Sequence, residues 1–214
     1  MHSMQRCINI LIEKCEMTTS SRFIDVGSGL GKPNFHAAQY PGVRLSVGVE
    51  LEHIRWQLAM TNFDKILPHM DDYLEGSSTS SQPETDNDVR LYGGVNFIVG
   101  DIDNFSSTDP FTHIYMYDLG FPPPLQQRIA DKFNNSVHAR YLVSYRPPHR
   151  VINEYGYKVE CVDQTNTSMH GSGESHMAYF YKRINTPAQP TSSSFKIKIP
   201  KRRNIRGEKD EEVS

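Results

Sequence analysis

The apolar positions of this chain repeat in two alternating rhythms. Ile8, Leu11, Ile12 and Cys15 fall three and four apart, the spacing of one helical face, and predict a first helix. Residues 18–21, all Thr and Ser, read as a loop. Residues 22–26 are a short buried strand running into a glycine turn. Pro33 follows the turn, where a helix start tolerates a missing N–H, and opens a helix over 35–39. Tyr40-Pro41-Gly42 punctuates the chain, and residues 44–50 form a second strand. Leu51, Ile54 and Leu58 then recur on a helical face. A third strand spans 95–99 and ends at Gly100-Asp101; a fourth spans 112–118. Leu125, Ile129 and Phe133 mark the next helix, and 141–144 the fifth strand. The rhythm changes at the end. Residues 158–162 and 177–181 are two strand-like runs with no helix between them, which predicts an antiparallel hairpin on the sheet edge.

Strands alternating with helices pair in parallel and are covered on both faces. The predicted fold class is therefore α/β, Rossmann-like, with a mostly parallel seven-stranded sheet ending in an antiparallel hairpin. Residues 1–184 make the domain. Residues 76–90, rich in Ser, Thr, Gln, Pro and acids, form a surface insertion, and 185–214 form a disordered tail, since neither stretch can bury a core. A net charge of −2 excludes a chain that is basic throughout and coats nucleic acid. Three cysteines, Cys7, Cys15 and Cys161, imply no disulfide framework. The apolar run 8–12 is too short to cross a bilayer, is followed by Glu13 and Lys14, and lacks a signal-peptide cleavage pattern. A soluble, intracellular protein without membrane association is expected.

In open α/β sheets, ligands bind beyond the carboxyl ends of the strands. Here the first strand ends in Asp25-Val26-Gly27-Ser28-Gly29-Leu30-Gly31, a G-x-G-x-G loop preceded by a carboxylate. Glycines let a ligand approach the backbone, but a carboxylate beside them suits an ammonium group better than a pyrophosphate. Glu50, at the end of the second strand, is placed to accept from two ribose hydroxyls. Asp101, at the end of the third, is placed to receive an adenine amino group. An adenosine ligand with a cationic tail and no phosphates fits these acids, and S-adenosyl-L-methionine is such a ligand.

The stretch from Ile10 to Thr18 leading into Phe23-Ile24-Asp25-Val26-Gly27-Ser28-Gly29-Leu30-Gly31-Lys32 resembles the DOT-one-type histone lysine methyltransferases, members of the class I methyltransferase superfamily. The similarity continues at Gly48-Val49-Glu50, Gly100-Asp101, Val143-Ser144-Tyr145-Arg146-Pro147 and residues 175–181. The resemblance implies the class I methyltransferase fold and S-adenosyl-L-methionine as cofactor. It implies cofactor contacts at Asp25, Gly27, Ser28, Gly29, Gly31, Lys32, Glu50, Asp101, Ile102 and Asp118. It also implies catalytic-pocket positions at Asp118, Phe121 and Tyr145, a histone or nucleosome substrate, and residence in the nucleus. Three positions depart from the family pattern. Asp118 stands where the family has a pocket Asn. Only 24 residues precede Asp25, so the family's upstream lid is absent or shortened. Met169 and His170 stand where a tryptophan is expected.

Methyl transfer to lysine requires a neutral amine, whose unperturbed pKa of ~10.4 falls in an apolar channel. Tyr117, Phe121, Tyr145 and the run Pro122-Pro123-Pro124 are candidates to line one, with Asp118 as an acceptor that orients the amine. Phe121 reads equally as a core residue, and the proline run as a stiff turn. Lys196, Lys198, Lys201, Arg202, Arg203 and Arg206 form a basic cluster in the tail, suited to DNA phosphates or nuclear import. His170, Glu174 and His176 match no tight ligand spacing, so no metal is expected. Two other readings stay open: a methyltransferase acting on RNA or a small amine, and a non-catalytic member that binds only cofactor or partner.

Overall fold

The computed structural model of the chain describes residues 3–75, 94–168 and 175–184. The insertion at 76–90, the tail at 185–214 with its basic cluster, and Met169 and His170 lie outside the described residues.

Helix α1 (Ser3–Lys14) buries Cys7, Ile8 and Leu11, and Cys15 is buried just beyond its end, as the three-and-four spacing requires. Strand β1 (Arg22–Val26) enters the glycine turn. Helix α2 (Lys32–Gln39) begins three residues earlier than its apolar pattern, because Pro33 sits in its first turn with no N–H to lose. Strand β2 (Leu45–Glu50), helix α3 (His53–Glu75), strand β3 (Val95–Val99), strand β4 (His113–Met116), helix α4 (Pro123–Asn135) and strand β5 (Tyr141–Ser144) follow. Strands β6 (Val159–Ser168) and β7 (Ser175–Arg183) form the terminal hairpin. Both are longer than their apolar cores, since backbone pairing continues through Thr167 and His176 after the alternation has faded.

The sheet order is β3-β2-β1-β4-β5-β7-β6. Strands β1 to β5 pair in parallel, and β7 lies antiparallel between β5 and β6. The chain runs outward from β1 to β3 and then returns to β4 on the other side of β1. That reversal opens a crevice at the carboxyl ends of β1, β2 and β4, the usual ligand position in such sheets.

Each face of the sheet carries its own core. Successive side chains point to opposite faces, so Phe23 joins Cys7, Leu11, Tyr115, Tyr141 and Phe180 under α1, while Ile24 and Val26 join Ile114, Leu142, Ile129 and Phe133 under α4. Burying each such side chain contributes roughly 1.5–3 kcal/mol. His113 is a polar member of the α1 side. Its Nε2 donates to the Cys15 carbonyl at 2.7 Å, its Nδ1 faces the Thr112 hydroxyl at 2.9 Å, and its ring stacks on Tyr141. Burial pushes its pKa down to about 4.

Helix α3 departs from the expected face. Leu51 before it, and Ile54 and Leu58 on it, are exposed, whereas Ala59 is buried and Phe63 half-buried. The reason is aromatic. Trp56 is half-buried and donates its indole N–H to the Phe97 carbonyl at 3.0 Å, and Phe63 meets Phe35 and Phe97. These larger rings turn their side of the helix toward the sheet.

Candidate functional site

The glycine loop is held by the strand beside it. The N–H groups of Gly27 and Ser28 both donate to the Val49 carbonyl, at 2.8 and 3.1 Å, so the chain turns sharply off β1. Gly31 caps α2 with φ +77°, a left-handed conformation that costs other residues about 1–2 kcal/mol. A Cβ there would collide with the Phe97 ring, which lies directly beneath. Gly29 is also left-handed, at φ +54°, but its Cβ position meets nothing within 4 Å and faces open space. At Gly27 a Cβ would stand 3.2 Å from the Phe121 ring, so Phe121 closes the loop from the β4 side.

Glu50 is buried at the end of β2 and ties the loops together. Its Oε2 accepts from the Gly29 N–H at 2.7 Å and its Oε1 from the Glu52 N–H at 2.9 Å. Its main-chain carbonyl accepts from the Gly100 N–H at 3.0 Å. Each carboxylate oxygen keeps a second lone pair for a ligand hydroxyl. Asp25 is buried in the middle of three strands, paired in register with Gly48 and Tyr115. Burial, reinforced by the nearby Glu50 charge, raises its carboxyl well above the usual range. Its Oδ2 and the Ser28 Oγ are buried without a hydrogen-bond partner. These two unpartnered polar atoms, with the open space at Gly29, suit a polar, partly cationic ligand.

Asp101 ends the β3 side of the crevice. Its Oδ1 accepts from the Asp103 N–H at 2.9 Å and starts a single 3-10 turn, Ile102–Asn104. The Ile102 side chain is buried in the core. Arg128 of α4 grips Asp103 with both Nε and Nη2, at 2.6–3.0 Å, and fixes that turn from outside. Lys32 is exposed at the start of α2.

Asp118 is fully buried. Its Oδ2 accepts from the Ser144 hydroxyl at 2.6 Å and the Gln126 amide at 2.9 Å, and its Oδ1 from the Tyr145 N–H at 2.8 Å. A carboxylate holding three donors pins the carboxyl ends of β4 and β5 together and presents their aromatic residues. Tyr117 and Tyr145 meet edge to face at 4.7 Å, and His176 approaches Tyr117 at 5.9 Å. Tyr145 is itself buried, and its hydroxyl bonds to that of Tyr115 at 2.8 Å. Tyr117, Phe121 and Tyr145 are thus brought to one end of the sheet, with Tyr117 and Phe121 the more open to solvent.

Four contributors were not legible as site residues: Phe97, Arg128, Gln126 and Ser144. Gly48 held a signal for the first. A glycine inside a buried strand marks a close approach, and a Cβ there would stand 2.5 Å from Phe97.

This arrangement is the fold of class I methyltransferases. A family model described as "Histone methylation protein DOT1" matches residues 3–79, which carry α1, the glycine loop and Glu50. No curated protein sequence matches the chain. Among solved structures, the chain is similar to TrmK of M. capricolum in complex with S-adenosyl-homocysteine (TM-score 0.55, 9% identity, covering 89% of this chain and 74% of that one). It is similar to Sp1610 of Streptococcus pneumoniae in complex with S-adenosyl-L-methionine (TM-score 0.55, 12% identity, 88% and 77%). It is also similar to the N-methyltransferase NodS of Bradyrhizobium japonicum WM9 (TM-score 0.54, 11% identity, 85% and 96%). At these identities the likeness is one of fold. None of the helices among the described residues is long and apolar enough to cross a membrane.

Proposed function

We propose that this chain is an S-adenosyl-L-methionine-dependent methyltransferase acting on a protein amine, of the histone-lysine type. The observation that carries this reading is the buried constellation of Asp25, Ser28, Gly29 and Glu50, with two polar atoms unpartnered and open space above Gly29. Glu50 would accept from the ribose hydroxyls of such a cofactor and Asp101 from its adenine amino group. Asp25 would face the cationic end, where a positive charge would favour its ionised form. Such a cofactor supplies an electrophilic methyl group on a sulfonium. Bound there, it would offer that methyl to a substrate nitrogen that this chain's residues hold in its neutral, lone-pair form.

The chain's own residues prepare that nitrogen. Tyr117 and Tyr145, which meet edge to face, would give an apolar wall on one side of β4, with Phe121 on the other, and so disfavour an ammonium beside them. Asp118 acts behind the wall as a positioning residue. Its two oxygens are held by three donors within the protein. The family match over 3–79 supports the histone-lysine type. In this reading the protein resides in the nucleus and its partner is the nucleosome. The cluster of Lys196, Lys198, Lys201, Arg202, Arg203 and Arg206 contacts DNA phosphates.

The test is calorimetric titration of S-adenosyl-L-methionine and S-adenosylhomocysteine into the full chain, then into Glu50→Ala. Saturable binding, weakened at least about tenfold (~1.4 kcal/mol) by the substitution, is expected. No binding by the folded protein overturns the reading. Methyl transfer offered side by side to nucleosomes and bulk tRNA then decides the substrate, and labelling confined to RNA replaces the protein amine.

A further inference from the structure

Away from the glycine loop, a groove of about 530 Å³ runs between α1 and strand β6. Its polar lining comes from Arg6, Asn9 and Glu13 of α1 and from Gln164, Thr165 and Asn166 of β6. Arg6, Asn9 and Glu13 recur at three, four and seven residues, so they share one face of α1, opposite the buried Cys7, Ile8 and Leu11. We propose that this groove seats an extended peptide segment carrying an acidic and a basic residue three positions apart. The proposal rests on the reading of this chain as a protein-amine methyltransferase and adds how such a substrate is chosen.

Four observations carry it. First, β6 is the edge strand of the sheet, paired among the described residues with β7 alone. It therefore offers main-chain N–H and C=O groups to an added extended segment. Its one irregularity, between Cys161 and Asp163, lies below the groove, so pairing with β7 is regular from Asp163 to Ser168. Second, Asn9 and Thr165, whose register partner Ala178 lies on the α1 side of the sheet, each combine donor and acceptor and match the polarity of a peptide backbone.

Third, the two charges have opposite sign and a fixed separation. Arg6 and Glu13 are two helical turns apart, about 10 Å, which an extended chain covers in three residues at about 3.3 Å each. Nucleic acid fits this pair poorly, because Glu13 repels the phosphates that Arg6 attracts. Fourth, the groove leads to the reaction end. Helix α1 runs opposite to β5, with Cys7 in the cluster of Tyr145 and Cys15 beside His113 at the start of β4. Arg6 is therefore at the carboxyl end of the sheet. Thr167, two residues beyond Thr165 on the same face of β6, pairs in register with His176, whose ring meets Tyr117, which in turn meets Tyr145. A peptide in the groove places its acidic residue nearest the aromatic wall and its basic residue further away.

The test binds the full-length chain to an array of short synthetic peptides. These carry one Glu and one Lys in both orders, at spacings from adjacent to six apart, in a neutral Ala/Ser/Gly background. Wild type is expected to prefer the three-residue spacing in one of the two orders. Arg6→Gln and Glu13→Gln, both at exposed positions, should each weaken that preference about two- to fivefold, as for partly exposed ion pairs. The double variant Arg6→Glu/Glu13→Arg should prefer the opposite order at the same spacing. Absence of a spacing preference, or one that survives neutralising both charges, overturns the proposal. So does a single-stranded RNA oligonucleotide whose binding depends on Arg6 while the peptides do not. S-adenosylhomocysteine binding by the same preparations separates the two levels. Retained cofactor binding without peptide selection sinks the groove alone, and lost cofactor binding by wild type sinks the enzyme reading beneath it.

Discussion

Two glycines two residues apart, Gly29 and Gly31, are predicted to fail in different ways when given a methyl group. Both are left-handed, so each pays about 1–2 kcal/mol for the backbone when changed to alanine. At Gly31 the new Cβ also meets the Phe97 ring, which is hemmed in by Phe35 and Phe63 and cannot swing away freely. Overpacking of that kind costs about 1–3 kcal/mol, for a total of about 2–5 kcal/mol. Gly29→Ala carries only the backbone cost, because its Cβ meets nothing in the protein, yet the methyl projects where a ligand is to lie. Urea unfolding followed by circular dichroism should place the two midpoints about 0.5–1.5 M apart, with Gly31→Ala the less stable. S-adenosylhomocysteine titration should show the reverse order. Gly29→Ala should lose at least about tenfold in affinity (~1.4 kcal/mol) while remaining folded. Wild-type affinity in Gly29→Ala, or equal midpoints for the two variants, would refute the placement of ligand above Gly29 and Phe97 beneath Gly31.

Three further outcomes follow from the buried polar groups. Asp118→Asn puts an amide N–H₂ against donors that now face carboxylate oxygens, and should cost about 1–3 kcal/mol of stability; a variant as stable as wild type would show that the three bonds to Ser144, Gln126 and Tyr145 are not what binds β4 to β5. His113 is held neutral by burial, with its pKa depressed to about 4. Below pH ~6.5 the unfolded chain takes up a proton that the folded ring refuses, so stability should fall from pH ~6.5 to ~4 by at most about 3 kcal/mol and then level off for this group. Urea midpoints measured across that range should flatten in His113→Gln. Asp25 has its carboxyl raised by burial and by Glu50, so a ligand cation beside it should release a proton and bind more tightly as pH rises. Calorimetry in buffers of different ionisation heat reads that release directly, and a signal unchanged in Asp25→Asn would assign it elsewhere.

Much of this architecture was legible because its signals are local. Runs such as Tyr141–Ser144 and Val95–Val99 are short, apolar and bounded by polar or glycine residues, and the strands fall where those runs do. The glycine loop and Glu50 were legible for a similar reason, since the ends of strands are where open sheets bind. Contacts between distant segments were not legible. Gln126 and Ser144 lie eight and 26 residues from Asp118, and no pattern in the chain pairs them. The tie that Asp118 makes between β4 and β5 was therefore not legible. Helix α3 misled differently. Its aliphatic stripe is regular, but three aromatic rings elsewhere on the helix and on β3 had more surface to hide.

Glu50 accepts from Gly29, Glu52 and Gly100, one donor from each of the three loops that leave β1, β2 and β3. Those loops are consequently one mechanical part. Transplanting the glycine loop alone into another sheet would carry over the sequence signature without the hinge pin that sets its height. Swapping cofactor preference by loop grafting would need all three segments moved together with their shared acceptor. Divergence within this protein should meet the same constraint, tolerating change in the loops only in step.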